Sequence, residues 1–425
     1  MIESSPVVHK FKSACLLVCL LSVVISGCAS GKLDQARKNF YSGQIDQASG
    51  ALSSAEDVSS RDQLLYFMEK GVILHHAGDY QGSIDLLLNA TALMKDQEVI
   101  SAGQQTASLV TSEWLTDYKG EYAERLLVHT YLMMDFLMLG DTEGALVEAK
   151  QALEVYDTYP EACSGDYFTR ALIAHCYEAE NEINGAYIEY KKLAELMLDP
   201  LPVARQLCNL GNRLGFNDEV EHFRQFLPEP ALKEKGKRGA GELIIFVSQG
   251  KSPLKIPHNI VLPPSIRFSF STYEDRSGYL TPPTVGPLAG AGSSDMITTD
   301  VGEILKASLK ERLAQIIIKE TARVVAKEAI AHNINDDNLA LLVRIFLFLI
   351  EVPDTRCWET LPATLSIIRV PLSPGSNQVH LNVMGRNVVL PPIDITPGNG
   401  PFYHYYSIRD GNGLYPLPGN SQSGN

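Results

Sequence analysis

Four times between residues 40 and 190 the chain repeats one pattern: an apolar helical stretch, a polar turn built on Gly or Asn, and an Ala that opens a second helix. The first copy runs Phe40-Tyr41-Ser42-Gly43-Gln44-Ile45 into Ala48, Leu52 and Ala55. The second has Gly71, then Ala77-Gly78-Asp79-Tyr80, then Ile84, Leu87 and Ala90. The third turns at Leu139-Gly140-Asp141 before Ala145, Ala149 and Ala152, closing at Tyr159-Pro160. The fourth has Ala174 and Tyr177, turns at Glu180-Asn181-Glu182-Ile183, and continues through Ala186 to Tyr190. Small residues at fixed places let paired helices approach closely, and Gly or Asn can adopt the left-handed backbone of the turn. A weaker fifth pair, Leu207–Leu214 and Glu219–Phe226, caps the series. An all-helical half from Lys32 to about Leu227 is the expectation.

This pattern resembles tetratricopeptide repeats, whose period is about 34 residues. Gly43 to Gly78 is 35 residues, Gly78 to Gly140 is 62 and Gly140 to Asn181 is 41, so the array is irregular, with an extra helix expected around Gln104–Lys119. Such arrays curve, and the inner helices line a concave surface that holds an extended segment or a partner helix. The repeat register places Met68, His75, His76, Thr130, Met134, His175 and Glu178 on that surface as a partner-binding groove. Adjacent His75 and His76 point to different helix faces, so no metal site is expected.

The N-terminus reads as a lipoprotein signal. Lys10 and Lys12 precede the apolar run Ala14–Ile25 and then Ile25-Ser26-Gly27-Cys28. The run is short for a bilayer span and has the length of a signal-peptide core. The pattern resembles a bacterial lipobox, in which Cys28 would be acylated and become the new first residue. Ala29 stands where Asp would suggest inner-membrane retention, so the expected location is the outer membrane, lipid-anchored, on the periplasmic side. The whole chain carries a formal charge of −14; without residues 1–27 it has 34 basic and 49 acidic side chains, or −15. That balance opposes nucleic acid and anionic lipid as partners, leaving covalent lipid as the route to a membrane.

Of seven cysteines, Cys15 and Cys19 fall in the signal and Cys28 in the lipobox. Cys163 and Cys176 are separated mostly by helix, beyond disulfide reach. Cys176 and Cys208, on neighbouring helices, are either bonded or free; buried free thiols are the expected state.

The charged, glycine-rich stretch at residues 233–241 ends the helical pattern. The domain reading is therefore a signal at 1–27, a helical repeat domain at 28–232, a linker at 233–241, an α+β domain at 242–410 and a disordered tail at 411–425. Within the second half, strands are expected at Glu242–Val247, Ile266–Tyr273, Ala363–Val370, Asn377–Val383 and Phe402–Ile408. A Gly/Ala/Ser loop covers Ala289–Asp295. Thr299-Asp300 caps a long helix at Val301–His332, and Leu339–Ile350 is a short apolar segment, buried or lying in a membrane surface. The fold class is α+β: an all-α repeat array followed by a smaller α+β domain.

Two further stretches carry a family resemblance. One is Tyr118-Lys119-Gly120-Glu121-Tyr122-Ala123-Glu124-Arg125-Leu126-Leu127-Val128-His129, together with Gly144–Lys150; the other is Asp354-Thr355-Arg356-Cys357-Trp358-Glu359-Thr360-Leu361-Pro362. With the lipobox and Gly241-Glu242-Leu243, the chain from Cys28 to about Val383 resembles a family of bacterial outer-membrane lipoproteins that contain tetratricopeptide repeats. Cys357 stands where that family has Ser, and Lys150 where it has Arg. Genes of that family often neighbour those of lipoprotein activators of penicillin-binding proteins, so the resemblance implies a role in cell-wall assembly. Bottom-up, the first motif is a helix entry: Gly120 breaks the chain, and Glu121 and Glu124 sit where the helix dipole favours carboxylates. His129 lies five residues beyond Glu124, off its ideal helical neighbour. In the second, Asp354 and Arg356 form an ion pair while Trp358 and Pro362 pack at a corner. Both motifs read as structural.

No nucleophile elbow, zinc-protease helix, phosphate loop or dinucleotide fingerprint is present, so no enzyme and no cofactor are expected. The leading function is an adaptor for envelope proteins. Two alternatives stay open: a glycan-binding protein using Tyr403, Tyr405 and Tyr406, and a hydrolase built on Cys357 and His380.

Overall fold

The computed structural model describes residues 31–103, 116–228, 241–262, 266–286, 294–332, 341, 352–396 and 402–410. Five antiparallel helix pairs follow one another in the first half. They are α1 (Gly31–Tyr41) with α2 (Ile45–Ala51), α3 (Gln63–Ala77) with α4 (Tyr80–Gly103), α5 (Tyr122–Met138) with α6 (Thr142–Thr158), α8 (Tyr167–Ala179) with α9 (Ile183–Leu196), and α10 (Leu201–Leu214) with α11 (Asn217–Arg224); a short α7 (Pro160–Cys163) bridges the third and fourth. The turn residue between partners has positive φ in every pair: Gly43, Gly78, Gly140, Asn181 and Gly215. Gly71 shows why the repeat also needs a small residue inside a helix. A Cβ there would lie 2.7 Å from Leu87, so any larger residue would push α3 and α4 apart. The expected helix at Gln104–Lys119 falls mostly outside the described residues, and Thr116–Lys119 are not helical.

The second half contributes a four-stranded sheet in the order β11-β1-β6-β5, from β1 (Gly241–Gln249), β5 (Asp295–Asp300), β6 (Thr364–Leu372) and β11 (Phe402–Arg409). β1 pairs with β11 in parallel and with β6 antiparallel. A hairpin of β2 (Leu254–Leu262) and β3 (Ile266–Glu274) stands apart from this sheet, as do the small sheets built from β4 (Thr284–Val285), β7 (Gly375–Asn377), β8 (His380–Val383), β9 (Arg386–Val389) and β10 (Ile393–Ile395). The long helix α12 (Val301–His332) begins after Asp300, whose carboxylate accepts from the Glu303 N–H at 3.1 Å.

Several strand expectations needed adjustment. Asn377–Val383 is two strands, broken at Gln378-Val379 because each half pairs with a different neighbour. β2 was hidden by Pro257, which a hairpin strand with one free edge tolerates. Asp295, read as the end of a loop, instead opens β5. The signal, Cys28, most of the linker, Leu339–Ile350 apart from Leu341, and the tail 411–425 lie outside the described residues.

Alternation along the sheet decides how the halves meet. Leu243, Ile245 and Val247 of β1 join Ile368, Val370, Tyr406 and Ile408 in a core against the small strands. The opposite face offers Ile244, Phe246, Leu365 and Ile367, and these belong to the same continuous core as Leu33, Met68, Leu126, Phe168 and Leu207 of the helices. Helices and sheet therefore share one interior.

Candidate functional site

Of the seven residues assigned to the partner-binding groove, His75, His76, His175 and Glu178 meet strands of the same chain. Met68, His75, His76, Thr130, Met134 and His175 are all buried. His75 Nε2 meets Ser407 Oγ of β11 at 2.8 Å, and His76 Nε2 lies 3.4 Å from the Arg409 guanidinium. His175 Nε2 is 3.0 Å from the Tyr405 hydroxyl, with the Tyr403 ring edge-on at 4.8 Å. Thr130 Oγ1 pairs with Thr169 at 2.8 Å, and Thr169 in turn hydrogen-bonds the helix-capping Asp166. Glu178 receives Arg369 of β6 at 2.9 Å. The groove expected to hold a partner holds the sheet.

The contact is built on charge as well as apolar area. Arg369 is buried and bridges Glu178, Glu242 and the Tyr190 hydroxyl. Burial would raise the Glu178 carboxyl, but Arg369 and His175 hold it well below the usual range. At the far edge, Arg205 of α10 reaches Asp295 of β5 at 3.1 Å. Thr299 of β5 bonds both Asp166 and the Phe168 N–H.

The two family motifs meet in space. Glu124 closes a capping box by accepting from the Glu121 N–H at 2.7 Å, also receives the Tyr118 hydroxyl, and with its other oxygen accepts from the Trp358 N–H at 2.7 Å. Glu69 of α3 does the same one turn away in the second motif, accepting from the Glu359 and Thr360 N–H groups at 2.9 and 3.1 Å and from Arg37 at 2.9 Å. Arg37 also pairs with Glu359 at 2.7 Å. Arg356 pairs with Asp354 at 2.7 Å, as expected, and adds Asp62 and the Thr116 carbonyl. Trp358 is buried against Tyr131, and Pro362 is buried just before β6. Gly120 has φ +71°. Glu121 takes Lys255 at 2.5 Å and Arg312 at 2.8 Å; burial would lift its carboxyl, but these cations hold it down at about 2. His129 pairs with Glu148 at 2.7 Å instead of Glu124. The motifs are thus a clasp that fixes residues 354–362 onto α3 and α5.

One constellation invites a catalytic reading that sequence inspection missed. Ser407, His75 and Asp135 form a hydrogen-bonded series, with His75 Nδ1 at 2.5 Å from Asp135. All three are buried, and the rings of His76, Tyr80 and Tyr131 pack around the imidazole at 4.9–5.6 Å. A nucleophile must reach a substrate carbonyl; here the hydroxyl points at a helix across a packed interface. The series is a strut between β11 and the array. Cys357 is equally enclosed, and burial pushes its thiol up to about 12, while His380 lies exposed on β8. Tyr403 and Tyr405 pack on His175, and Tyr406 is in the opposite core, so none of the three presents a free ring face to a sugar. Cys163, Cys176, Cys208 and Cys357 are all free and buried. Among the described residues no three His, Cys, Asp or Glu side chains are grouped to hold a metal, and no helix is long and apolar enough to cross a membrane.

What stays open is the outer face. The second helices of three successive pairs carry exposed apolar side chains: Leu88 at 39%, Val147 at 55%, and Ile188 at 43% together with Leu196. Val147 and Ile188 each lie seven residues beyond their turn residue, at equivalent repeat positions.

No family model and no curated protein matches the chain. Solved structures that it resembles include MamA from Desulfovibrio magneticus RS-1, with 13% identity over 47% of this chain and 91% of that one, at a TM-score of 0.33. A Podosopora anserina putative kinesin light chain with TPR-like repeats shares 16% identity over 49% of this chain and 95% of that one, again at 0.33. Scores this low carry no functional weight, and the repeat assignment stands on the helix pairs and their turns.

Proposed function

We propose that this chain is a lipid-anchored scaffold of the cell envelope, held at Cys28 to the periplasmic side of an outer membrane and binding protein partners through the outer face of its repeats. The observation that carries the reading is the repeat-equivalent pair Val147 and Ile188, with Leu88 exposed on the second helix of the preceding pair, on an array whose inner face is already filled. Single exposed apolar residues are ordinary on any surface; their recurrence on the second helix of successive repeats is what favours a shared contact. The lipobox supports the anchor, since each buried methylene of an acyl chain contributes about 0.8 kcal/mol toward membrane binding. The family resemblance supports a setting in cell-wall assembly.

A photo-crosslinking residue placed at Val147 or Ile188 in intact cells should yield adducts with another envelope protein. The same residue at Met134 or His175 should give only internal crosslinks. Adducts from the inner positions alone would overturn the outer-face reading. Mass spectrometry of the mature N-terminus should show a diacylglyceryl thioether on Cys28; an unprocessed leader would remove the anchor.

A further inference from the structure

Between α9 and α11, the outer helices of the last two pairs, lies a groove of about 470 Å³. Its apolar lining comes from Ala194, Pro200 and Phe223. Exposed apolar side chains continue it along α9, with Leu196 toward one end and Ile188 toward the other, and Leu198 projects fully into solvent just beyond. Lys191 and Glu219 also line it, but they neutralise each other at 2.8 Å. Glu195 on the α9 side and Asp218 on the α11 side, both exposed, make no hydrogen bond or ion pair among the described residues. With His222 completing the lining, the groove is a trough with an apolar floor between two helices and an exposed carboxylate on each bank.

We infer that this groove docks a basic amphipathic helix of a partner protein. Two roughly parallel helices leave a channel that a third helix fills with apolar residues spaced at i, i+4 and i+7. Lys or Arg flanking that stripe would meet Glu195 on one side and Asp218 on the other, and the surplus of acidic over basic groups on the whole chain would speed the encounter. The inference rests on the scaffold reading and names the chemistry of the partner for one part of the outer face.

The test uses the full chain in detergent and two fluorescein-labelled 18-residue helical peptides. Both share a Leu stripe; one has Lys on its flanks and the other Glu. The Lys peptide should bind, weaken with rising salt, and lose at least tenfold in affinity when Glu195→Lys and Asp218→Lys are combined. The Glu peptide should bind only the doubly substituted chain. Ala194→Trp, which fills the trough without changing charge, should weaken both pairings. Circular dichroism melts confirm that each variant folds; if the double variant does not, Asp218→Asn with Ala194→Trp decides the matter. Equal binding of both peptides to the unsubstituted chain, or no binding of either, overturns the proposal. If the envelope crosslink from Val147 survives in the charge-reversed chain while the Lys peptide never binds, the groove assignment falls and the scaffold reading stands.

Discussion

Glu69 sits at the point where the two halves of the chain are joined, and replacing it tests whether they are one unit. Its carboxylate is fully buried, accepts two N–H groups from residues 359 and 360, and neutralises Arg37. Glu69→Ala strands those two donors and removes one partner of a buried guanidinium. Each stranded donor costs about 1–3 kcal/mol, and breaking a buried pair about 3–5 kcal/mol. The total falls below the sum, because Arg37 keeps Glu359 and water can enter the vacated space; about 3–5 kcal/mol is expected. Glu69→Gln keeps one acceptor oxygen and should lose about 1–3 kcal/mol. The assay is urea unfolding followed by far-ultraviolet circular dichroism for the helices and by tryptophan fluorescence for Trp358, in a Trp114→Phe background that leaves one tryptophan. With a shared core, both signals should move together to lower urea in each variant. If the helical signal holds its midpoint while the Trp358 signal shifts, the halves are separate domains and the reasoning fails.

Arg369→Met should cost about 3–5 kcal/mol, because it leaves Glu178 and Glu242 facing each other in the interior; adding Glu178→Met should recover part of the loss in the same urea assay. Acid should weaken the fold beginning near pH 6.5. Burial, aided by His75 and Arg409, keeps His76 neutral, and burial also lowers His175, so both bind protons more readily when unfolded. Each contributes a slope of up to about 1.4 kcal/mol per pH unit as pH falls below the ordinary histidine value. His76→Asn should flatten the melting temperature profile between pH 6.5 and 5, and an unchanged slope would refute this. A chain beginning at Ala29 has four cysteines, all buried, with the Cys163 and Cys357 thiols pushed up to about 12. Ellman's reagent should find none in buffer at pH 8 and four in guanidinium chloride; rapid native reaction would contradict the packing.

The helix pairs were legible because their signals are local. A turn residue with positive φ and, after Gly43, Gly140 and Asn181, an Ala five positions later lie within one window of sequence. What covers the inner face was not legible, since the residues that meet His75 and Glu178 lie 332 and 191 positions away. Two traces were present all the same. Arg369 interrupts an otherwise apolar strand, and a charge in such a run needs a buried partner. β11 alternates Tyr403, Tyr405, Ser407 and Arg409 against His404, Tyr406 and Ile408, so neither set reads as a plain solvent face. That pattern marks a strand enclosed on both sides. The clasp was half-read. Asp354 with Arg356 follows from their spacing, whereas Glu124 with Trp358 requires the fold.

The sheet-lined inner face also sets an order of events for a newly made chain. In an ordinary helical solenoid each repeat can settle against its predecessor as soon as it emerges. Here α3, α5 and α8 leave Ser407, Arg409 and Tyr405 as missing neighbours until the strand at Phe402–Arg409 has been synthesised. Until then the apolar inner sides of the early helices stay wet and liable to aggregate. Contacts spanning more than three hundred positions make collapse slow. The inner face of this array is therefore completed only by the strand at Phe402–Arg409, late in the chain.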